Sequence, residues 1–296
     1  MNKPFYDLLI EINRLSQELN FGSACDELEE YIFSLDKDSI IQLIVHIGVI
    51  PESISHDSTE EKLFAKCADI VLAKSFHLLG MKAVVNRERA DCADVTVEST
   101  FHGYSLVADA KAFRMSRTAK NQKDFKVDSM DKWRKDADFS VLVCPYYQYP
   151  KKVSQIYGQA LDKNVCLLSW EHLGFMLANR VTETEIVPLR DIWNISFRIA
   201  ESVSVNNKNS CFLKKADELV AESAGLSYAS FKDILSNSAE SIAKRGVNEI
   251  KYWEDEEREI RRYSQEEAIN KLIEHMKIKE KIRSIDKYIK YLWKQI

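Results

Sequence analysis

Glycine and proline are scarce in this chain of 296 residues, which holds 8 glycines and 5 prolines. Average proteins contain about 7% glycine and about 5% proline. Tight turns depend on these residues, so their scarcity argues against an all-β sandwich and predicts long helices. No apolar run approaches the roughly 18 residues of a membrane span, and the N-terminus lacks the apolar core of a signal peptide. We therefore expect a helix-rich, cytoplasmic protein that does not bind membranes.

The patterns typical of metal-binding cysteines and histidines are also absent. None of the six cysteines forms a CxxC pair, and the six histidines show neither HExxH nor HxxxH spacing. Zinc sites of those kinds and a small disulfide framework are therefore not expected. Reduced, mostly buried thiols are the simplest interpretation of the cysteines.

Excess positive charge is missing from the chain as a whole, whose formal net charge is −4. One segment departs from this average. Six basic residues and a single acid, Asp124, lie between Lys111 and Lys126. A basic cluster within an acidic protein indicates a focused site for an anion rather than a generally basic surface.

The spacing of apolar residues predicts helices first and a sheet afterwards. Residues 3–48 have helical spacing, and a further helix begins after Ser58, whose partner in a capping box is Glu61, and ends at Gly80. Strand patterns follow at 83–85, 93–98, 105–111, 139–143 and 165–168. The predicted fold class is α/β (α+β): a mixed central sheet flanked by helices, with helical additions at both ends.

The composition changes near residue 200, which predicts a core at 1–200 and a C-terminal helical region at 201–296. Residues 203–209 are polar and resemble a linker. A capping box at Ser264 precedes an apolar stripe with helical spacing. A solvated helical face that packs on the core is the simplest interpretation, and a contact with DNA or with a second copy is the alternative.

The residues with the clearest chemistry lie on two neighbouring strands. Asp109 and Lys111 project from one face of their strand, because side chains alternate along a strand. If the register places Asp94 beside Asp109, two carboxylates meet next to an ammonium, which suits Mg²⁺. Two adjacent carboxylates without a cation would repel each other. The alternative is an exposed ion pair at the end of a strand.

The segment from Arg117 to Lys126 follows this strand directly. Its basic residues recur at every third position, which suits a loop or the start of a helix. The residues between them include types that read bases: asparagine pairs with adenine, lysine with guanine, and aspartate with the amino group of cytosine. A solvated surface loop is the alternative interpretation.

Several stretches of the chain resemble the HindIII family of type II restriction endonucleases. The most specific is 116–127. Further similarity lies in the sequences TEEKLF at 59–64, LVADAK at 106–111, QYP at 148–150 and SWEHL at 169–173. The likeness is close over roughly residues 35–180 and looser over the last hundred.

This resemblance implies a PD-(D/E)xK nuclease core and a homodimer that works alongside a cognate DNA methyltransferase. It implies cleavage of double-stranded DNA at AAGCTT, after the first A, with 5′-phosphate and 3′-hydroxyl ends. The implied cofactor is Mg²⁺, for which Mn²⁺ can substitute.

The resemblance also implies roles for individual residues. Asp94, Asp109 and the carbonyl of Ala110 would bind the metal, and Lys111 would activate the water. Ala93 stands where the family has its leading proline. A helix glutamate often joins the site, and Glu61 is the first candidate and Glu88 the second. The residues implied to read bases are Asn121, Lys123 and Asp124, and those implied to contact phosphates are Arg117, Lys120 and Lys126.

Two other functions fit the same residues. A structure-selective or repair nuclease of this fold would need the two acids and the lysine but no base-reading segment. A non-catalytic, sequence-specific DNA-binding protein would need the basic segment, with the acids serving only structure.

Overall fold

The computed structural model of the chain describes residues 2–87, 92–116, 122–150, 154–202 and 208–293, with the backbone alone at 122, 123, 208–210, 288 and 291–293. The chain divides into two compact units, Met1–Gly246 and Val247–Ile296. The division near residue 200 that composition suggests stays a prediction. Within the described ranges no helix is both long and apolar enough to cross a bilayer.

Three helices open the chain, the described strands lie between Val49 and Ser169, and the described elements that follow are all helices. The described strands are β1 (Val49–Ile50), β2 (Lys82–Val85), β3 (Val95–Glu98), β4 (Ser105–Ala110), β5 (Phe113–Arg114), β6 (Phe139–Cys144) and β7 (Val165–Ser169). The described helices of the first unit are α1 (Lys3–Glu18), α2 (Phe21–Ser34), α3 (Lys37–Ile47), α4 (Thr59–Leu78), α5 (Gln122–Phe125), α6 (Val127–Arg134), α7 (Gln155–Asp162), α8 (Trp170–Ala178), α9 (Arg190–Trp193), α10 (Ile195–Ser202) and α11 (Lys208–Ser223). Helix α12 (Tyr228–Ile260) starts in the first unit and ends in the second, where α13 (Gln265–His275) and α14 (Ile278–Trp293) follow.

The central sheet has the strand order β2–β3–β4–β6–β7. β2, β3 and β4 are antiparallel neighbours, whereas β4, β6 and β7 run parallel. Each of these five strands lies within two residues of a segment predicted from the sequence. The predicted mixed sheet flanked by helices, with helical additions at both ends, is therefore confirmed.

The burial of each strand follows from its place in the sheet. β2 alternates between exposed and buried residues, as a strand with one solvated face does. Every residue of β6 and β7 is buried, which explains why those two segments are apolar almost throughout. The shared core joins both faces of the sheet to the helices.

Helix α4 packs against the sheet and has the ends that the sequence predicts. Ser58 caps its first turn by accepting a hydrogen bond from the backbone N–H of Glu61 at 3.0 Å. Gly80 follows its last turn with φ +87, and a Cβ there would lie 2.7 Å from the carbonyl oxygen of Glu183. Glycine is therefore required at this position, both for its backbone conformation and for the close approach.

A second, two-stranded parallel sheet pairs β1 with β5, and sequence patterns did not predict it. Its strands have two residues each, too few to show any period. Gly48 precedes β1 and accepts a hydrogen bond from the N–H of Phe113 at 3.0 Å. A Cβ on Gly48 would lie 2.6 Å from Cδ1 of Trp170, so this packing also depends on glycine.

In the second unit, helix α13 has the predicted capping box. The N–H of Ser264 donates to Glu267 at 2.8 Å, and the N–H of Glu267 donates to the Ser264 hydroxyl at 3.3 Å. The next helix, α14, begins directly after Lys277, which has φ +51.

Candidate active site

The hairpin register brings Asp94 and Asp109 together. Val95 pairs with Ala108 in the antiparallel β3–β4 ladder. One position further, Asp94 therefore lies opposite Asp109 at the end of the pairing. Asp109 is 1% exposed, so this meeting of two carboxyl groups takes place in a largely dry environment.

Their proximity separates the pKa values of the two carboxyl groups. Burial, together with the neighbouring Asp109 carboxyl, raises the pKa of Asp94 to about 7. Burial alone would also raise the pKa of Asp109, but the ammonium of Lys111 outweighs it and the pKa of Asp109 is lowered. Without a bound cation, Asp94 therefore holds a proton up to about neutral pH, and Asp109 is ionised.

Lys111 completes this cluster and is fixed through its backbone as well as its side chain. Its Nζ forms an ion pair with Oδ2 of Asp109. Its backbone N–H donates to the carbonyl of Val143 at 2.8 Å, and its own carbonyl accepts from Nε1 of Trp170 at 3.2 Å. Burial lowers the pKa of Lys111, but the Asp109 carboxylate outweighs that effect and raises it. Lys111 is therefore a cation at neutral pH.

A third acid, Asp69 on α4, belongs to the same electrostatic cluster. Burial and the carboxyl of Asp94 raise the pKa of Asp69 well above its ordinary value. Nζ of Lys66, one turn earlier, lies 3.6 Å from Oδ2 of Asp69 and donates to the carbonyl of Asn86 at 2.9 Å. Asp69 is not among the residues that the sequence motifs single out, although it is the lone acid inside the apolar run 67–73.

The donors around the pair fit a hard divalent cation. Oδ1 of Asp109 is buried and receives no hydrogen bond from an N–H or hydroxyl group of the described residues. The protonated Asp94 carboxyl hydrogen-bonds to Asp109, and a divalent cation bound between the two carboxylates would take the place of that proton. Oxygen ligands from one or two carboxylates are those that Mg²⁺ uses in proteins.

Glu61, the first-choice helix acid, makes different contacts. Its Oε1 lies 2.6 Å from Nη2 of Arg114, and its Oε2 accepts from the N–H of Asp57 at 2.8 Å. It also lies 3.4 Å from Nδ1 of the exposed His56, so these neighbours form an ion-pair cluster on the surface. A catalytic role for Glu61 stays a prediction.

The backbone that leads from Lys111 towards the predicted base-reading segment is held at two further points. Arg114 donates to the carbonyl of Pro51 at 2.9 Å in addition to its ion pair with Glu61. Ser116 donates to Glu52 through both its N–H, at 2.9 Å, and its hydroxyl, at 2.8 Å. Among the described basic residues of this region, Lys111 and Arg114 are therefore paired with acids. The sequence pattern anticipates the pairing of Lys111 with Asp109 but not that of Arg114 with Glu61.

The base-reading segment itself is only partly described. Arg117, Lys120 and Asn121 lie outside the described residues, as does Glu88, and so does the side chain of Lys123. Asp124 is half-buried on α5. Lys126 is exposed, its Nζ lies 5.6 Å from the centre of the Trp133 ring, and its charge helps to lower the pKa of Asp109. One of the predicted phosphate contacts is therefore electrostatically linked to the acid pair.

Comparison with known proteins decides the family. The sequence model of the HindIII restriction endonuclease family matches residues 6–288. The chain belongs to the HindIII restriction endonuclease family. A curated member, the type II restriction enzyme HindIII of Haemophilus influenzae (strain ATCC 51907 / DSM 11121 / KW20 / Rd), is 37% identical over 290 residues, which are 98% of this chain and 97% of that protein. The predicted family and enzyme class, a type II restriction endonuclease, are confirmed.

Among solved structures, the restriction endonuclease FokI shows a partial likeness to this HindIII-family chain. It is 13% identical, the match covers 57% of this chain, and the TM-score is 0.36. The chain spans about a third of that protein's length, since the match covers 33% of it.

Proposed function

We propose that the chain cleaves both strands of duplex DNA at AAGCTT, after the first A, and leaves 5′-phosphate and 3′-hydroxyl ends. The proposed cofactor is Mg²⁺, with Mn²⁺ as a substitute. The observation that carries this proposal is the Asp94 carboxyl opposite that of Asp109, with Lys111 paired to the latter. Family membership and the 37% identity to HindIII support the choice of recognition site.

In this proposal Asp94, Asp109 and the carbonyl of Ala110 hold the metal. A bound divalent ion neutralises charge on the phosphate and lowers the pKa of its water. Lys111 is held as a cation by Asp109, so it orients a water and stabilises negative charge that develops on the phosphate. Glu61 would be the helix glutamate of the site, and its ion pair with Arg114 holds the chain three positions after Lys111.

Recognition is proposed to lie in the segment that follows. Asn121, Lys123 and Asp124 would read base edges, because their side chains pair with adenine, guanine and cytosine. Arg117, Lys120 and Lys126 would contact phosphates, which supplies affinity without sequence information. The exposure of Lys126, in a segment that follows Lys111 directly along the chain, supports a path for DNA past this segment to the acid pair.

A palindromic site requires two-fold symmetry, so we infer that two copies of the chain act together, each cutting one strand. A cognate DNA methyltransferase would protect the host's own sites, and both proteins would work in the cytoplasm.

The test is digestion of a plasmid of known sequence in Mg²⁺, followed by sequencing of the fragment ends. Discrete fragments that all end within AAGCTT are expected. The matched control is the same plasmid with one base pair changed in each AAGCTT site, which should stay intact. Nicking without sequence preference would indicate a structure-selective or repair nuclease. A gel shift without cleavage would indicate a DNA-binding protein.

A further inference from the structure

The backbones of the two acids in the candidate site are held in different ways. Asp109 lies inside β4, where it pairs with Leu142 of β6. Asp94 lies one residue before β3, and the pairing of β3 with each of its neighbours begins at Val95. The strand ladder therefore fixes the backbone of Asp109 but stops one residue short of Asp94, whose direction depends on other contacts.

Asn86, the residue directly after β2, makes such contacts. Its backbone N–H donates to the carbonyl of Asp94 at 2.8 Å, and its side-chain Nδ2 donates to the carbonyl of Ala93 at 2.7 Å. These two carbonyls belong to the two peptide groups that flank Cα of Asp94. Because the backbone has only two soft dihedral angles per residue, holding both peptide planes fixes φ and ψ of Asp94. The direction of its carboxyl group away from the backbone is fixed as a result.

Asn86 is itself held from two sides. Its Nδ2 donates a second hydrogen bond to the hydroxyl of Thr96 on β3 at 3.0 Å, so both N–H groups of the amide have acceptors. Its own carbonyl accepts from Nζ of Lys66 on α4 at 2.9 Å. Hydrogen bonds from a charged donor are stronger than neutral ones. The residue that holds Asp94 is thus tied both to the sheet and to the helix that packs on it.

The side chain is the part of this arrangement that depends on asparagine. Every residue except proline has the backbone N–H that reaches Asp94. The bond to Ala93, by contrast, needs a short side chain that donates. Ala93 is 2% exposed and has no ring to restrict its φ, so without the amide its carbonyl loses this donor and the peptide group before Asp94 is less constrained.

We propose that Asn86 is a positioning residue for the reaction, which holds the carboxyl of Asp94 beside that of Asp109 so that one divalent cation can bind both. The inference rests on the proposed role of Asp94 as a metal ligand. Groups that orient a metal ligand from outside change metal affinity or activity by about 10–100-fold when they are lost.

The test is Mn²⁺ binding to the full-length protein without DNA, measured by electron paramagnetic resonance, together with single-turnover plasmid cleavage in Mg²⁺. Asn86→Ala should weaken Mn²⁺ binding and slow cleavage, each by about 10–100-fold, because Asp94 is no longer held towards Asp109. Asn86→Leu keeps the branched shape of the side chain but donates no hydrogen bond, so it should show the same losses. Asp109→Asn provides the Mn²⁺ signal of a protein that has lost the site.

Thr96→Val is the matched control. It removes the second acceptor of the Asn86 amide from the same hairpin but leaves the bond to Ala93, so it should bind Mn²⁺ and cleave as wild type does. Wild-type Mn²⁺ affinity in both Asn86 variants would overturn the inference, and so would a loss in Thr96→Val as large as theirs.

The absence of DNA from the Mn²⁺ measurement separates this inference from the proposed cleavage. Wild type that binds Mn²⁺ but leaves AAGCTT intact would refute the proposed recognition site, while the comparison of Asn86→Ala with Thr96→Val would still decide the role of Asn86. Wild type that binds no Mn²⁺ would overturn both the inference and the proposed metal site.

Discussion

The indole N–H of Trp170 donates a hydrogen bond to the carbonyl oxygen of Lys111. Trp170 is the first residue of α8, directly after β7, and Lys111 directly follows β4, two strands away in the sheet. The bond therefore fixes the backbone of the site lysine from a distant part of the chain. Gly48 lies against the same indole ring and leaves room for it.

Gly48→Ala should destabilise the protein by about 1–3 kcal/mol, because overpacking in a filled region has that cost. The new Cβ would lie 2.6 Å from Trp170 and 2.7 Å from Pro145. Cleavage should fall as well, since the indole would shift away from Lys111. Urea unfolding and cleavage rates measure both effects. Gly22→Ala is the control, because a Cβ there meets its nearest atom at 3.4 Å. Equal stability of the two variants would contradict the packing argument.

Asp109→Asn should abolish cleavage while cognate DNA binding in Ca²⁺ survives. The substitution removes a charge from the proposed metal site and leaves the volume of the side chain almost unchanged. Cleavage assays and gel shifts separate the two effects. The exposed Asp162→Asn is the control and should behave as wild type. Unchanged turnover in Asp109→Asn would remove this residue from the metal site.

The stabilisation by Mg²⁺ should increase as the pH rises through about 7. The pKa of Asp94 is raised in the folded state to about 7, so its proton stabilises the metal-free fold at low pH and that contribution is lost as the pH rises. A divalent ion binds the deprotonated pair and replaces the proton. Thermal unfolding with and without Mg²⁺, from pH 5.5 to 8.5, measures the effect. A rise in melting temperature on adding Mg²⁺ that does not depend on pH would contradict this prediction. The same holds if Asp109→Asn keeps the rise.

Stability should fall below about pH 6.5 because of His46. Burial, with the nearby Arg245 charge, lowers the pKa of His46 to about 4. Below about pH 6.5 His46 is protonated in the unfolded state but stays neutral in the folded state. The free energy of unfolding therefore decreases as the pH falls, by up to about 3 kcal/mol at pH 4. Urea unfolding across this range should show a weaker loss for His46→Gln. A slope in His46→Gln equal to that of wild type would refute the assignment.

Lys126→Gln and Asn121→Ala should weaken DNA binding in different ways. Loss of a phosphate contact at Lys126 should weaken all sequences alike and reduce the salt slope by about one. Loss of a base contact at Asn121 should cost about 1–3 kcal/mol on AAGCTT and relax discrimination at one base pair. Binding isotherms on cognate and random duplexes at several salt concentrations distinguish them. Equal losses on both duplexes for Asn121→Ala would exclude base reading.

The five strands of the main sheet could be predicted because each has an apolar core and a flanking turn. The meeting of Asp94 with Asp109 could be expected too, since a short connection through Gly103 leaves few registers for the hairpin. In the observed register Val95 pairs with Ala108, and this register places Asp94 beside Asp109. Local pattern was sufficient here because the contacts are near in sequence.

The rest of the site depends on contacts between residues far apart in the chain. Asp69, Trp170 and Glu52 reach Asp109, Lys111 and Ser116 through the packing of α4, α8 and the β1–β5 pair. A periodic pattern reports which face of a helix is buried, but not which distant group that face meets. The sequence therefore offers Glu61 and Glu88 as helix acids, whereas Asp69, eight positions after Glu61 on the same helix, is recognised only from its packing beside Asp94.

Two residues separate Lys111 from Arg114 along the backbone, and Glu61 and Glu52 hold the next turn of chain in place. Lys111 and the start of the proposed base-reading segment therefore lie on one short span of backbone, which these two acids hold in place. An insertion or deletion within that span would move both at once. New target sequences in this family should therefore arise by exchange of side chains beyond Ser116, with the length of the span itself preserved.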